Sequence, residues 1–164
     1  MIHTIEIDLP PAAVTAHNSG AWHAKSGAVR DYREETHQTL LLKHRPLIRA
    51  GSIKHKVRIH HEWFLGRTPM EEKLGGKCPK KWKKYRPADE GNAIQALKPA
   101  IDGIVDSGVL FDDKAAYVEW GTFTRHSTAK AHQGKARIVL TIEVLEDQPV
   151  EPPKPTTKRK PGVN

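Results

Sequence analysis

Acidic residues bracket one stretch of this chain. Asp89 and Glu90 precede "GNAIQALKPAIDGIVDSG", and Asp112–Asp113 follow it. Clustered carboxylates repel one another unless a hard cation sits among them, and Mg²⁺ prefers carboxylate and water oxygens. Such an ion polarises a phosphate and lowers the pKa of a bound water, so phosphodiester chemistry is what these residue types would serve. The same residues have a plainer use. Asp89 fits the N-cap of a helix, and Asp112–Asp113 fit a turn. Lys98 lies between the two acidic pairs. A lysine beside a scissile phosphate stabilises charge developing in the transition state. Four residues before Asp102, it equally makes an i,i+4 ion pair.

A basic run leads into these acids. From Arg67 to Arg86 the chain carries eight Lys or Arg against Glu71 and Glu72. Lys77, Lys80, Lys81, Lys83, Lys84 and Arg86 suit phosphate oxygens, and Trp82 and Tyr85 supply rings on which exposed bases stack. The composition favours nucleic acid over a solvated loop. The ten histidines show no zinc spacing, and one cysteine, Cys78, gives them no support. No Walker-type glycine loop or GxSxG is present.

These side chains need elements to position them. "HTIEIDLPP" alternates Ile5, Ile7 and Leu9 with acids and reads as a strand stopped by Pro10 and Pro11. Residues 12–27 read as a loop, 29–44 as a helix ended near Pro46, and 54–64 as a strand. Residues 65–88, rich in Gly and Pro, form a long connection of the kind usually tied to function. Residues 91–108 read as a helix with Pro99 inside it and Gly108 as its stop. Strands over 115–123 and 136–145 follow, with a polar loop between them. The order β-α-β-α-β-β predicts a single α+β domain over residues 1–147, with a small, largely hairpin-joined mixed or antiparallel sheet and two main helices. Residues 148–164 are Pro- and Lys-rich with little to bury and read as a disordered basic tail.

The net charge of +8 favours an anionic partner. A single cysteine excludes an intrachain disulfide and suits a reducing compartment. No apolar run approaches membrane-spanning length and no signal peptide opens the chain, so the expectation is a soluble cytoplasmic protein without a membrane partner.

"RPADEGNAIQALKPAIDGIVDSGVLFDDKAAYV" resembles the core of the RusA family of Holliday junction resolvases, especially its phage-encoded members. That family carries an Asp-x-Asp-Asn or Asp-x-x-Asn motif opening a helix, a following Lys, and a Gly-bearing turn into an Asp-Asp pair. "IEIDLPPAAVTAHNSGAWH" and "GKARIVLTIE" are similar to its opening and closing strands, so the resemblance spans about residues 3–146. The resemblance implies a Mg²⁺-dependent homodimer that nicks four-way DNA junctions symmetrically in a bacterial or phage-infected host cell. It implies Asp89 and Asp113 as metal-binding catalytic acids, Asp112 as their neighbour and Lys98 as the catalytic lysine. Gly91 stands where many members have a second Asp, with Glu90 as the replacement ligand. Lys98 follows Asn92 by six residues where the family usually has three. Three extra helical residues turn a side chain by about 60° and move it about 4.5 Å along the axis.

Three readings result. The first is a Mg²⁺-dependent, structure-selective endodeoxyribonuclease acting in recombination and repair. The second is a catalytically weakened junction- or nucleic-acid-binding protein on the same fold, its metal site eroded at Gly91. The third is a basic RNA-binding protein.

Overall fold

The computed structural model describes residues 1–14, 22–66, 73–74, 77, 79, 84–126 and 136–152, with side chains in the first helix described from Ser26 onward. Its sheet is organised around the last strand. In β4 (Arg137–Pro149), Ile138, Leu140 and Ile142 alternate with more exposed residues and are fully buried. A strand with such a face belongs inside a sheet. β4 pairs antiparallel with β1 (Ile2–Ile7) on one side and with β2 (His55–Phe64) on the other. β3 (Val118–His126) completes the order β1-β4-β2-β3 at the edge.

The α+β class is as expected, but the pairing is not largely hairpin-joined. β3 and β4, consecutive in sequence, are not neighbours, and β3 runs parallel to β2. The physical reason lies in the connection. Strands joined through a helix are able to run parallel, and the helix that precedes β3 supplies that crossover.

α1 (Trp22–Lys43) begins earlier than the expected 29, taking in part of the expected loop, and a 3-10 turn at Ala12–Val14 precedes it. Pro46 does not merely follow a helix; it sits in the first turn of the short α2 (Arg45–Arg49), where its missing N–H costs nothing. α3 (Glu90–Asp106) is capped by Asp89 and contains Pro99. Gly108 lies just past its end with φ +78°, and its N–H bonds the Val105 carbonyl at 2.9 Å. Only glycine takes that left-handed turn at little cost.

The two long helices meet at Gly103. A Cβ there would lie 2.5 Å from the Arg33 carbonyl oxygen, so any side chain would push α1 away. Buried Thr36 lies at the same crossing and donates to the Tyr32 carbonyl at 3.0 Å. The Tyr32 hydroxyl donates to the Asp8 carbonyl at 2.8 Å, tying α1 to the end of β1. Ala93, Ala96, Leu97, Ala100, Ile101 and Ile104 of α3 join Ile5, Val57, Ile59, Trp63 and the inner residues of β4 in one core. The other face of the sheet carries Arg58, His60, Glu119 and Glu143, bonded among themselves.

β4 runs past the expected domain boundary at 147. His55 pairs with Pro149, and the Val150 N–H bonds the Lys54 carbonyl at 3.0 Å. Of the expected tail, residues from 153 onward lie outside the described residues.

Candidate active site

The segment after α3 decides where the acids go. Beyond Gly108 the chain is pinned to the approach to β2: Ser52 Oγ donates to the Gly108 carbonyl at 2.6 Å, and Ile53 N–H to the Val109 carbonyl at 2.9 Å. Val109 and Leu110 are buried. Asp112 and Asp113 follow, before the turn at Lys114–Val118 that starts β3.

Lys98 and Asp113 meet. The Lys98 ammonium bonds Asp113 Oδ2 and lies 3.3 Å from Asp102 Oδ1. Lys98 is eight residues before the helix end, about 12 Å at helical rise, so the chain after α3 has come back alongside it. The side chains of Asp113 and Asp102 are only 24% and 28% exposed, against 59% for Lys98. Two half-buried carboxylates therefore hold one cationic head at the rim. Asp102, read from sequence only as the i,i+4 partner of Lys98, is thus a second acid at this station.

Asp112 points elsewhere. Its Oδ1 accepts the Asp113 N–H at 2.8 Å, as a turn-forming Asp does, and its Oδ2 accepts from the Lys114 ammonium at 2.6 Å. That bond, first, and the Asp112 charge raise the pKa of Lys114.

Asp89 takes the plainer role foreseen for it. Its Oδ1 accepts the Asn92 N–H at 2.9 Å and its Oδ2 accepts from Asn92 Nδ2 at 2.8 Å, so both oxygens are held at the N-cap. Glu90 is exposed in the first turn, where a carboxylate suits the positive end of the helix dipole. A Cβ on Gly91 would meet only Asp89 Oδ1, at 3.6 Å. Burial, first, and the Asp89 charge raise the pKa of Tyr85.

The expected metal set is not drawn into one cluster. Among the described residues no group of three or more His, Cys, Asp or Glu is placed to hold a metal ion, so Asp89, Glu90, Asp112 and Asp113 do not form one. The donor chemistry at Lys98 nevertheless fits a hard cation. Mg²⁺ is commonly bound by one or two carboxylates, with waters completing its octahedron, and Asp102 and Asp113 already converge on one positive charge. Asp89 stays at the other end of α3 with Asn92, about 20 Å from Asp102 at helical rise.

The basic run is partly in view. Lys80, Lys81, Trp82 and Lys83 lie outside the described residues, and Lys77 is exposed. Lys84 bridges to Pro11, and the Tyr85 N–H bonds the Pro10 carbonyl at 2.7 Å, which anchors the end of the run on the segment after β1. Arg86 donates to the carbonyls of Lys84 and Gly66, each at 3.0 Å, and so closes the long connection. One residue that no sequence signal marked also reaches this place. Arg125 of β3 donates through Nη1 to the carbonyls of Pro87 at 3.3 Å and Ala88 at 3.4 Å, immediately before Asp89.

Fold and site together define a single-sheet α+β protein with an acid–lysine–acid station on α3 and a cationic approach to that helix's N-terminus. No protein-family model matches the chain, and no curated protein matches it. Among the described residues no helix is long and apolar enough to cross a membrane.

Proposed function

We propose that this protein is a Mg²⁺-dependent, structure-selective endodeoxyribonuclease of branched DNA, acting on four-way junctions in recombination and repair in the cytoplasm of a bacterial or phage-infected cell. The observation that carries this reading is the meeting of Lys98 with Asp113. The motif order Asp89…Asn92…Lys98…Asp102…Asp112–Asp113 resembles the RusA family, and lysine and acid, remote in sequence, stand together in the fold.

Asp113, with Asp102, would hold the Mg²⁺. A bound Mg²⁺ supplies a water of lowered pKa and polarises the scissile phosphate. The two carboxylates keep the Lys98 ammonium at the rim, where it can face a phosphate whose negative charge grows as the attacking oxygen adds. Lys77, Lys80, Lys81, Lys83 and Lys84 neutralise the backbone of the DNA arms, and Trp82 stacks on an unpaired base at the junction centre. Arg86 adds its charge from a fixed place. Two nicks in two strands call for two sites related by a two-fold axis, hence a homodimer.

A second reading has its own observation. Both Asp89 oxygens are taken by Asn92, and Gly91 offers no carboxylate. These features suit a junction-binding protein of reduced catalytic power. Incubating purified protein with a labelled four-way junction, with Mg²⁺ and with EDTA, separates the two. Paired nicks that EDTA abolishes support the nuclease; tight binding without nicks supports the binding protein. Stronger competition by structured RNA than by junction DNA would sink both.

A further inference from the structure

Most described arginines that contact a side chain face a carboxylate. Arg33 binds Asp106 through Nε and Nη2, at 2.5 and 2.6 Å. Arg58 pairs with Glu119 and Glu143, and Arg137 with Glu6. Their charges are answered within the fold. Arg125 differs. It is exposed, and both of its bonds run from a single nitrogen, Nη1, to the main-chain carbonyls of Pro87 and Ala88.

This attachment has a geometric consequence. A guanidinium presents two parallel forks, one of them formed by Nε–H and Nη2–H. That is the edge with which Arg33 grips both oxygens of Asp106. At Arg125 the anchor uses Nη1 alone, and among the described residues neither Nε nor Nη2 has a partner. A whole bidentate edge therefore remains for an anion, on a head that rests on two carbonyls through bonds at the long end of the range. That resting place lowers the ordering cost that a free surface lysine bears on binding. Its position at the turn into Asp89 puts the edge beside the N-terminal end of α3.

We infer that Arg125 is a preset phosphate fork that seats one phosphodiester of the nucleic acid beside the Asp89 end of α3. This deepens the proposed function and rests on it. The planar edge matches two phosphate oxygens, as a lysine's point charge does not. Arg125 binds substrate and, through Pro87–Ala88, also positions Asp89. The phosphate role is the one that changes how many counterions are released.

The test compares the parent with Arg125→Gln and Arg125→Lys, measuring junction affinity across a salt series alongside melting temperature. Gln keeps a donor for the two carbonyls and removes the charge. It should melt near the parent, bind roughly 3- to 10-fold more weakly, and lower the log–log salt slope by about 0.9, the share of one neutralised phosphate. Lys keeps the charge but loses the fork. It should retain the slope and still bind more weakly at every salt concentration. A parental slope in the Gln variant overturns the fork while leaving the nucleic-acid reading intact. Should the Gln variant melt early, the Lys variant decides, and parental affinity there overturns the fork. A parent that binds no nucleic acid overturns both.

Discussion

Lys98 bonds Asp113 across fifteen residues of sequence while also facing Asp102, so one ammonium sits between two half-buried acids. Two carboxylates against one ammonium leave the trio one negative charge, which under the proposed function a cation would meet. Asp113→Asn should reduce junction cleavage by at least roughly 100-fold, the scale of losing one charge-stabilising group. Binding should hold or tighten slightly, because negative charge near phosphate is removed. Gel assays of nicking and of binding on the same preparation check this, and parental nicking would end the metal assignment. Lys98→Ala should likewise lose cleavage while folding normally, since Lys98 is the exposed member of the trio.

Gly91 tests which end of α3 holds the metal. Its Cβ position is open except for Asp89 Oδ1 at 3.6 Å, so Gly91→Asp fits without moving the backbone. The added carboxylate lies in the first turn, where the helix dipole favours it. Position 91 lies about 16 Å along the helix from Asp102, so with Mg²⁺ held by Asp102 and Asp113 the Mg²⁺ concentration for half-maximal nicking should stay at the parental value. A fall of roughly tenfold, the size of one supporting group at a metal, would put the metal at the Asp89 end and overturn Asp102 as its ligand. Glu90→Gln is the companion: a large loss marks Glu90 as the substitute ligand, and no loss leaves Gly91 uncompensated.

Changing Lys80, Lys81, Lys83 and Lys84 together to Ala should weaken junction binding and flatten its salt dependence. The log–log slope should drop by about 0.9 for each duplex phosphate that is no longer neutralised. An unaltered slope would mean that these lysines are only solvated. Trp82→Ala should matter more for an opened junction than for linear duplex, because a stacked base needs a free face.

His61 sets an acid limit on stability. It is fully buried on β2, packed against Trp120 and Phe123, and its Nδ1 accepts the Trp63 indole N–H at 3.0 Å. Burial, first, and the charge of His60 lower its pKa from 6.5 to about 4. The unfolded chain therefore takes up this proton near pH 6.5, and the folded chain only near 4. Between those values the unfolded state binds more protons, so stability falls as pH falls, by up to about 1.4 kcal/mol per pH unit from this group. His61→Gln retains an acceptor for Trp63 and cannot titrate. Denaturant midpoints of the variant should change less than the parent's across that window; equal slopes would show that His61 is accessible to protons in the fold. The Arg33 hydrogen bond, the largest cause, lowers the pKa of Asp106 below 3.8. That contribution is present above the ordinary carboxylate range and is lost only at more acid pH, so the two are separable.

Chain termination maps the domain edge. Stopping after Pro152 keeps the Val150 bond to Lys54 and the pairing of Pro149 with His55. The melting temperature should stay within about 1 °C of the full chain, as expected when a Pro- and Lys-rich segment with few apolar residues is removed. Stopping after Asp147 deletes both interactions and should lower it measurably. Equal melting for the two truncations would mean that the end of β4 adds nothing. Nicking per bound complex should survive both, because no candidate site residue lies beyond Asp147.

Much of this protein is written in short-range pattern. The Asp89 cap, the apolar stripe through Leu97, Ile101 and Ile104, and the Gly108 stop define α3 by signals within a turn or two of each position. Two-residue alternation marks β2 and β4 in the same way, since side chains on a strand face opposite sides in turn. The early start of α1 was not legible, because residues 12–27 are small and polar and show no apolar period; its helix is held by packing at Gly103 and by the Tyr32–Asp8 bond. The partners across the sheet were not legible either. β3 lies parallel to β2 rather than beside β4 because the chain crosses over through α3, a matter of path rather than composition. The site divides along the same line. Asp89, Lys98 and Asp113 stand out in sequence by type and spacing. That Asp113 reaches Lys98 follows from how Ser52 and Ile53 pin the segment after Gly108, whereas Asp89 stays with Asn92 through its local cap. Arg125 has no local signal at all, since its partners lie 37 and 38 residues away and are main-chain carbonyls, which every residue type presents alike.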